Sequence, residues 1–192
     1  ASFEQVREGM EEMKQKFIRL INEEIKNKQA GKPAYILIKI NHITDPVMVK
    51  KLYEASSHGV RIDLLVRGNC SLITGVPGVS DTIRINGILD RYLEHSRIFI
   101  FANGGDEKMF IGSADWMPRN LDNRVEVIAP VYDPEIKADL KRVVEYGLKD
   151  TLQGRVVDGT GENRPWISED KTAFRSQEEL YKYYLNENRI KD

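Results

Sequence analysis

The order of elements between residues 35 and 66 leaves few architectures open. Tyr35-Ile-Leu-Ile-Lys-Ile40 is a short apolar run rich in β-branched side chains, the pattern of a buried strand. Asp45-Pro46 supplies an N-cap and a proline at the first helical position, and Val47 to Ser57 keep helical spacing until Gly59. Val60-Arg-Ile-Asp-Leu-Leu-Val66 is a second strand. A short helix between two strands is a crossover, so the strands run parallel. Arg67-Gly68-Asn69 then falls at the carboxyl end of the second strand, the edge at which open α/β sheets bind ligands.

The flanking sequence extends this α/β pattern. Residues 1–30 read as an amphipathic helix leading into the domain, with Val6, Met10, Met13, Phe17, Leu20, Ile21 and Ile25 on one stripe. Ser2 with Gln5 forms its capping box, and Gly31 and Pro33 stop it. After a glycine-rich loop, a strand is expected near Ile83 and a brief helix over Ile88 to Glu94. Arg97 to Phe101 and Lys108 to Gly112 are strands joined by an Asn-Gly turn, and Asn123 to Val131 is a further strand. Asp133-Pro134 opens a helix carrying Ile136, Leu140, Val143, Val144 and Leu148. Residues 151–192 are expected to be a loop-and-helix tail, its helix capped by Ser176 with Glu179.

Composition narrows the function classes. The 192 residues are 41% hydrophobic and 31% charged, the profile of a soluble globular domain. Lys and Arg total 29 against 30 Asp and Glu, which disfavours a globally basic nucleic-acid or membrane binder, and no nucleic-acid partner is expected. A lone cysteine, Cys70, excludes an internal disulfide and a zinc site of paired cysteines, and the histidine spacing offers no metal site. With no long apolar run and no leader pattern, a cytoplasmic location is expected. The missing initiator Met suggests a piece of a longer or processed chain. Between Arg61 and Arg124 there are seven Arg and one Lys, a bias toward the planar fork that grips phosphate or carboxylate.

One constellation in that stretch could carry chemistry. His95-Ser96-Arg97 enters a strand, and residues two apart on an extended chain point the same way. An imidazole and a guanidinium could therefore face one cleft, beside the hydroxyl and open N–H groups of Gly112-Ser113. Imidazole titrates near neutral pH and can act as nucleophile, acid or base at phosphorus. The competing reading is a surface histidine beside a salt-bridged arginine.

These residues form a degenerate version of the phospholipase D signature, H-x-K followed by G-S-x-N, here His95-x-Arg97 and Gly112-Ser113-x-Asp115. More specifically, the chain resembles the C-terminal domain of the polyphosphate kinase family, the multidomain type that uses a phosphohistidine. Val66-Arg-Gly-Asn-Cys-Ser-Leu72, Arg91-Tyr-Leu-Glu-His-Ser-Arg97, Asn103-Gly-Gly105, Gly112-Ser-Ala-Asp-Trp-Met117 and Arg119-Asn-Leu-Asp-Asn-Arg-Val-Glu126 carry the resemblance, with Asn41 and Asp45. It implies a phospholipase-D-like fold, a mixed β-sheet flanked by helices, with residues 31–192 as the C-terminal catalytic domain of a larger enzyme.

The resemblance also implies a function: reversible transfer of the ATP terminal phosphate to polyphosphate through a phosphohistidine in a preceding domain. A fragment carrying the other half of the site is expected to be inactive alone. Arg67 matches the family's nucleotide-phosphate-binding arginine, and its place at a strand's carboxyl end fits that role independently. His95 matches the second, ATP-contacting histidine, and Glu126 the acid facing the site. Strand alternation would put Arg124 on the same side as Glu126, as a further phosphate-binding candidate. Mg²⁺ is expected with ATP, held mainly outside this fragment. Implied partners are ATP or ADP, inorganic polyphosphate, the upstream domains and further copies of the enzyme, with peripheral membrane association left open. Lysine replaced by Arg97 weakens the hydrolase reading. A dimeric phosphodiesterase half-site and a non-catalytic polyphosphate- or nucleotide-binding module stay open as alternatives.

Overall fold

The computed structural model describes residues 3–122 and 124–189. β1 (Tyr35–Ile40), α2 (Pro46–Ser57) and β2 (Arg61–Val66) form the expected crossover, and β1 and β2 pair in parallel with Ile38 opposite Leu64. The Asp45 carboxylate accepts the N–H groups of Val47 and Met48, each at 3.0 Å, which fixes where α2 starts. β3 (Ile83–Ile88) continues the parallel set beside β2. On the other side of β1, β4 (Ile98–Phe101), β5 (Lys108–Gly112) and β6 (Ile128–Val131) add antiparallel strands, and β7 (Gly154–Val156) closes the far edge against β3. The order is β6-β5-β4-β1-β2-β3-β7, a mixed α/β sheet. The carboxyl ends of β1, β2, β3 and β5 therefore share one edge with the amino ends of β4 and β6.

Helices cover both faces. α1 (Phe3–Gln29) and α2 pack on one face through Met13, Phe17, Ile21, Ile25, Met48 and Leu52, as the helical spacing predicts. Ser2, of the expected capping box, lies outside the described residues. Phe17 meets Phe99 at 4.6 Å and Trp116 at 5.2 Å between ring centroids, so one aromatic cluster joins α1, β4 and the loop after β5. A single helical turn, α3 (Pro118–Leu121), follows the loop after β5, and the other face is covered by α4 (Pro134–Lys149), where Val144 packs against Leu37, Leu65 and Ile100. Gly147 permits this approach, since a Cβ there would lie 2.4 Å from Leu65 Cδ1. α5 (Ser176–Arg189) lies against α4. No described helix is long and apolar enough to cross a membrane.

Four expectations need correction. Ile88 to Glu94 form no helix: β3 runs through Ile88, and Leu89, Tyr92 and Leu93 stand exposed beyond it. The strand expected over Asn123 to Val131 begins only at Ile128. Asn123 lies outside the described residues, and Val125 and Val127 point outward, 74% and 65% exposed. Ser176 is the first residue of α5 rather than the cap before it, and its hydroxyl donates to buried Asp150 at 2.7 Å, tying the start of α5 to the end of α4. β7 lies within the expected tail loop, a three-residue strand too short to leave a periodic signal.

Phe17 has no exposed surface, and its ring is the hub of the aromatic cluster. Replacing it by Ala should cost about 3–5 kcal/mol in a denaturant-unfolding measurement. A loss below about 1 kcal/mol would show that α1 is not anchored through this ring.

Candidate functional site

The chain leaving β1 is bonded on both sides. Ile43 N–H donates to the Asn69 carbonyl (2.9 Å) and the Ile43 carbonyl accepts from Ser71 N–H (2.8 Å), which joins it to the loop after β2. On the opposite side, the N–H groups of Thr44 and Asp45 both donate to the Trp116 carbonyl at 2.8 Å, and Trp116 N–H returns a bond to His42. Gly68 lies under the His42 ring, where a Cβ would come within 2.3 Å of Cε1, so Arg67 must be followed by a residue without a side chain. His42 Nδ1 accepts Asn69 N–H at 2.9 Å, which makes it a loop-packing residue.

Three cations stand at this edge. Lys39, at the end of β1 on the α4 face, is buried and paired with Glu94 at 3.0 Å. Burial pushes its ammonium below the usual lysine range, Arg67 and Arg97 act in the same direction, and Glu94 opposes them. Arg97 is half-buried in a two-pronged pair with buried Asp115, Nε to Oδ1 and Nη2 to Oδ2, both at 3.1 Å. Arg67 differs: its described polar side-chain contact is a neutral one, Nε donating to Asn41 Oδ1 at 3.2 Å. A half-buried guanidinium beside an amide, with no ion pair among the described residues, is electrostatically open to an anion. Because Arg67 donates only, Asn41 Oδ1 must face it. The Asn41 amide nitrogen is then buried without a protein partner.

The acid and hydroxyl of the expected site meet beside it. Glu126 accepts the Ser113 hydroxyl on one carboxylate oxygen and Asn120 Nδ2 on the other, the latter at 2.7 Å. Ser113 Oγ accepts Val127 N–H at 3.0 Å, so a side chain takes the place of a ladder bond and β6 starts late. With Nδ2 on Glu126, Asn120 Oδ1 is buried without a protein partner. Arg124 does not join this group. It is exposed outside any strand, no ion pair links it to Glu126 among the described residues, and the alternation argument fails there.

His95 is exposed on a non-strand segment, while the Arg97 guanidinium is turned to Asp115. The segment is nevertheless tied down. Arg175 pairs with Asp90 at 2.7 Å, Gln177 exchanges hydrogen bonds with the Tyr92 main chain at 2.9 Å, and Glu94 meets Lys39. Arg97 Nη1 donates to the His95 carbonyl at 3.1 Å. The roles of Asp115, Asn120 and Lys39 had no local signal, since each depends on a partner far away in sequence. For Asp115 the one clue was its place in G-S-x-D.

A family model for "Polyphosphate kinase C-terminal domain 2" matches residues 9–177. The chain belongs to this family. It is 44% identical over 164 residues to polyphosphate kinase of Escherichia coli K12, covering 85% of this chain and 24% of that protein. Polyphosphate kinase of Thermosynechococcus vestitus is 51% identical over 154 residues, 79% of this chain and 21% of that protein. The crystal structure of polyphosphate kinase from Porphyromonas gingivalis superposes with a TM-score of 0.88 at 40% identity, over 93% of this chain and 27% of that one. The chain thus spans about a quarter of the length of the curated relatives it matches.

Lys39 gives a pH test. Its depressed value means that the unfolded chain holds this proton more tightly, so between the folded value and about 10.5 its contribution to stability rises with pH. The stability of the wild type minus that of Lys39→Met should therefore increase as pH rises through that window in urea-unfolding measurements. A difference that stays flat would show that Lys39 is not desolvated.

Proposed function

We propose that this domain is the nucleotide- and phosphate-holding half of an ATP:polyphosphate phosphotransferase, whose phosphohistidine lies in an upstream domain of the same enzyme. Family membership supports the reaction. The observation that carries the site is Arg67, a half-buried guanidinium whose neighbouring cations are already paired with carboxylates while its own partner is neutral.

In such a reaction the protein mainly positions groups and neutralises charge. Arg67 grips ATP phosphate oxygens with its terminal nitrogens, while Asn41 fixes the plane of the fork through Nε. His95, exposed at the same edge, contacts the nucleotide phosphates and assists transfer. Glu126 acts as a supporting residue: both of its oxygens are engaged, so it orients Ser113 and Asn120 rather than taking a proton. The unpartnered side-chain atoms Asn41 Nδ2 and Asn120 Oδ1 are further contacts for ligand or solvent. Arg124, exposed beyond the cluster, is at most a peripheral phosphate contact.

Among the described residues no group of three His, Cys, Asp or Glu side chains converges as a metal site. Mg²⁺ would arrive with ATP, held mainly by the phosphates and by residues outside this fragment, and would supply charge neutralisation there. Leu93, Val125 and Val127, exposed next to His95 and Glu126, support contact with the rest of the enzyme at this edge. The Arg97–Asp115 pair argues against a phosphodiesterase half-site, because the cation of that motif is already committed to a carboxylate.

In the enzyme carrying this domain, His95→Ala should remove most polyphosphate synthesis, about a hundredfold or more, and leave the melting temperature unchanged. Near-normal synthesis would overturn the assignment. Incubated alone with ATP labelled at the terminal phosphate, the 192-residue chain should acquire no covalent label. A stable label on His95 would place the phosphohistidine here instead.

A further inference from the structure

We infer that Asp115 is a positioning residue that sets the spacing between Arg67 and His95, an inference that rests on the phosphate-holding reading of these two. Its carboxylate is buried and fully occupied. Oδ1 accepts the N–H groups of Asn41 (3.0 Å) and His42 (3.3 Å) together with Arg97 Nε (3.1 Å), and Oδ2 accepts Arg97 Nη2 (3.1 Å). Two arms run outward from it. In one, Arg97 turns its remaining terminal nitrogen to the His95 carbonyl at 3.1 Å. In the other, the Asn41 backbone is held by Asp115 while the Asn41 side chain accepts Arg67 Nε at 3.2 Å. One carboxylate thus connects the loop after β5 to both phosphate-facing groups.

The chemistry requires both members to be what they are. A guanidinium can hold a carboxylate with two nitrogens and still donate to a third oxygen, whereas an ammonium is a single point charge. Arg97 with neutral Asn opposite would meet an amide N–H₂ or lose a charge-assisted bond in a buried setting. Lys opposite Asp115 would pair with it but release the His95 carbonyl. The H-x-R and G-S-x-D sequences therefore differ from H-x-K and G-S-x-N at two positions that touch each other. They form one exchanged pair, and Arg97 does not face the phosphate.

The test uses steady-state kinetics and melting of the enzyme carrying this domain, with Asp115→Asn, Arg97→Lys, the double variant, and His95→Ala as reference. Asp115→Asn loosens both arms and should lower kcat at least tenfold while raising KM for ATP severalfold. Arg97→Lys loosens the His95 arm alone and should lower kcat comparably, with KM for ATP within twofold of wild type. The double variant, which restores the lysine and asparagine of H-x-K and G-S-x-N together, should lose no more kcat than the worse single variant, and it serves if Asp115→Asn does not fold. Wild-type kcat and KM in Asp115→Asn, with His95→Ala inactive, would overturn the positioning role and leave the site reading intact. So would multiplicative losses in the double variant, or losses that track only the folded fraction. Normal synthesis in His95→Ala would overturn both.

Discussion

The segment that leaves β1, Asn41 to Asp45, is hydrogen-bonded on both flanks, and the site depends on that constraint. A central strand normally gives up its ladder partners where it ends, and the following loop wanders. Here the backbone continues pairing, to Asn69 and Ser71 on one side and to Trp116 on the other. Trp116 is itself fixed from below by Phe17 and Phe99. Hydrophobic packing of α1 against the sheet thereby sets the geometry of a polar edge several residues away. The loops after β1, β2 and β5 then behave as one surface, which is what an anion needs if several short donors are to reach it together.

Charge at this edge is arranged by pairing. Lys39 is paired with Glu94 and Arg97 with Asp115, each largely out of water, so neither cation is available to a ligand without breaking a costly bond. Their role is mechanical: the two pairs bracket His95 from the residue before it and the residue two after it. The segment from Leu89 to Arg97 has no secondary structure of its own, and its place is fixed by these pairs and by Arg175 and Gln177 at the start of α5. α5 is in turn held by Asp150, whose carboxylate accepts the N–H and hydroxyl of Ser176. Electrostatic anchoring takes the place of a helix or strand around the exposed imidazole of His95.

The crossover could be read from the sequence because each signal was local. A β-branched run, an Asp-Pro cap and a glycine stop all act within a few residues, and the structure has each of them in place. The reading failed where alternation was taken as evidence of burial. Val125 and Val127 alternate like a strand yet are exposed, because Glu126 turns inward to Ser113 and Asn120. For the same reason Arg124 cannot be placed by counting residues from Glu126. His95 and Arg97 were expected to face one cleft, but β4 begins only at Ile98 and the Arg97 guanidinium is held by Asp115. The place of Arg67, just past the carboxyl end of β2, could be read because it follows from the crossover itself. The bond from Arg97 to Asp115 spans 18 residues and two strands, and no pattern within one segment encodes it.

The chain spans about a quarter of its relatives' length, and on the proposed reading it holds one edge of a site whose anion position is Arg67. Calorimetric titration of the enzyme carrying this domain with ATP, comparing wild type with Arg67→Ala, tests that position most directly. Loss of a guanidinium aimed at phosphate should weaken ATP at least tenfold, about 1.4 kcal/mol, and leave adenosine binding unchanged. Equal ATP affinity in the two proteins would contradict it and remove the basis for a phosphate-holding edge in this domain.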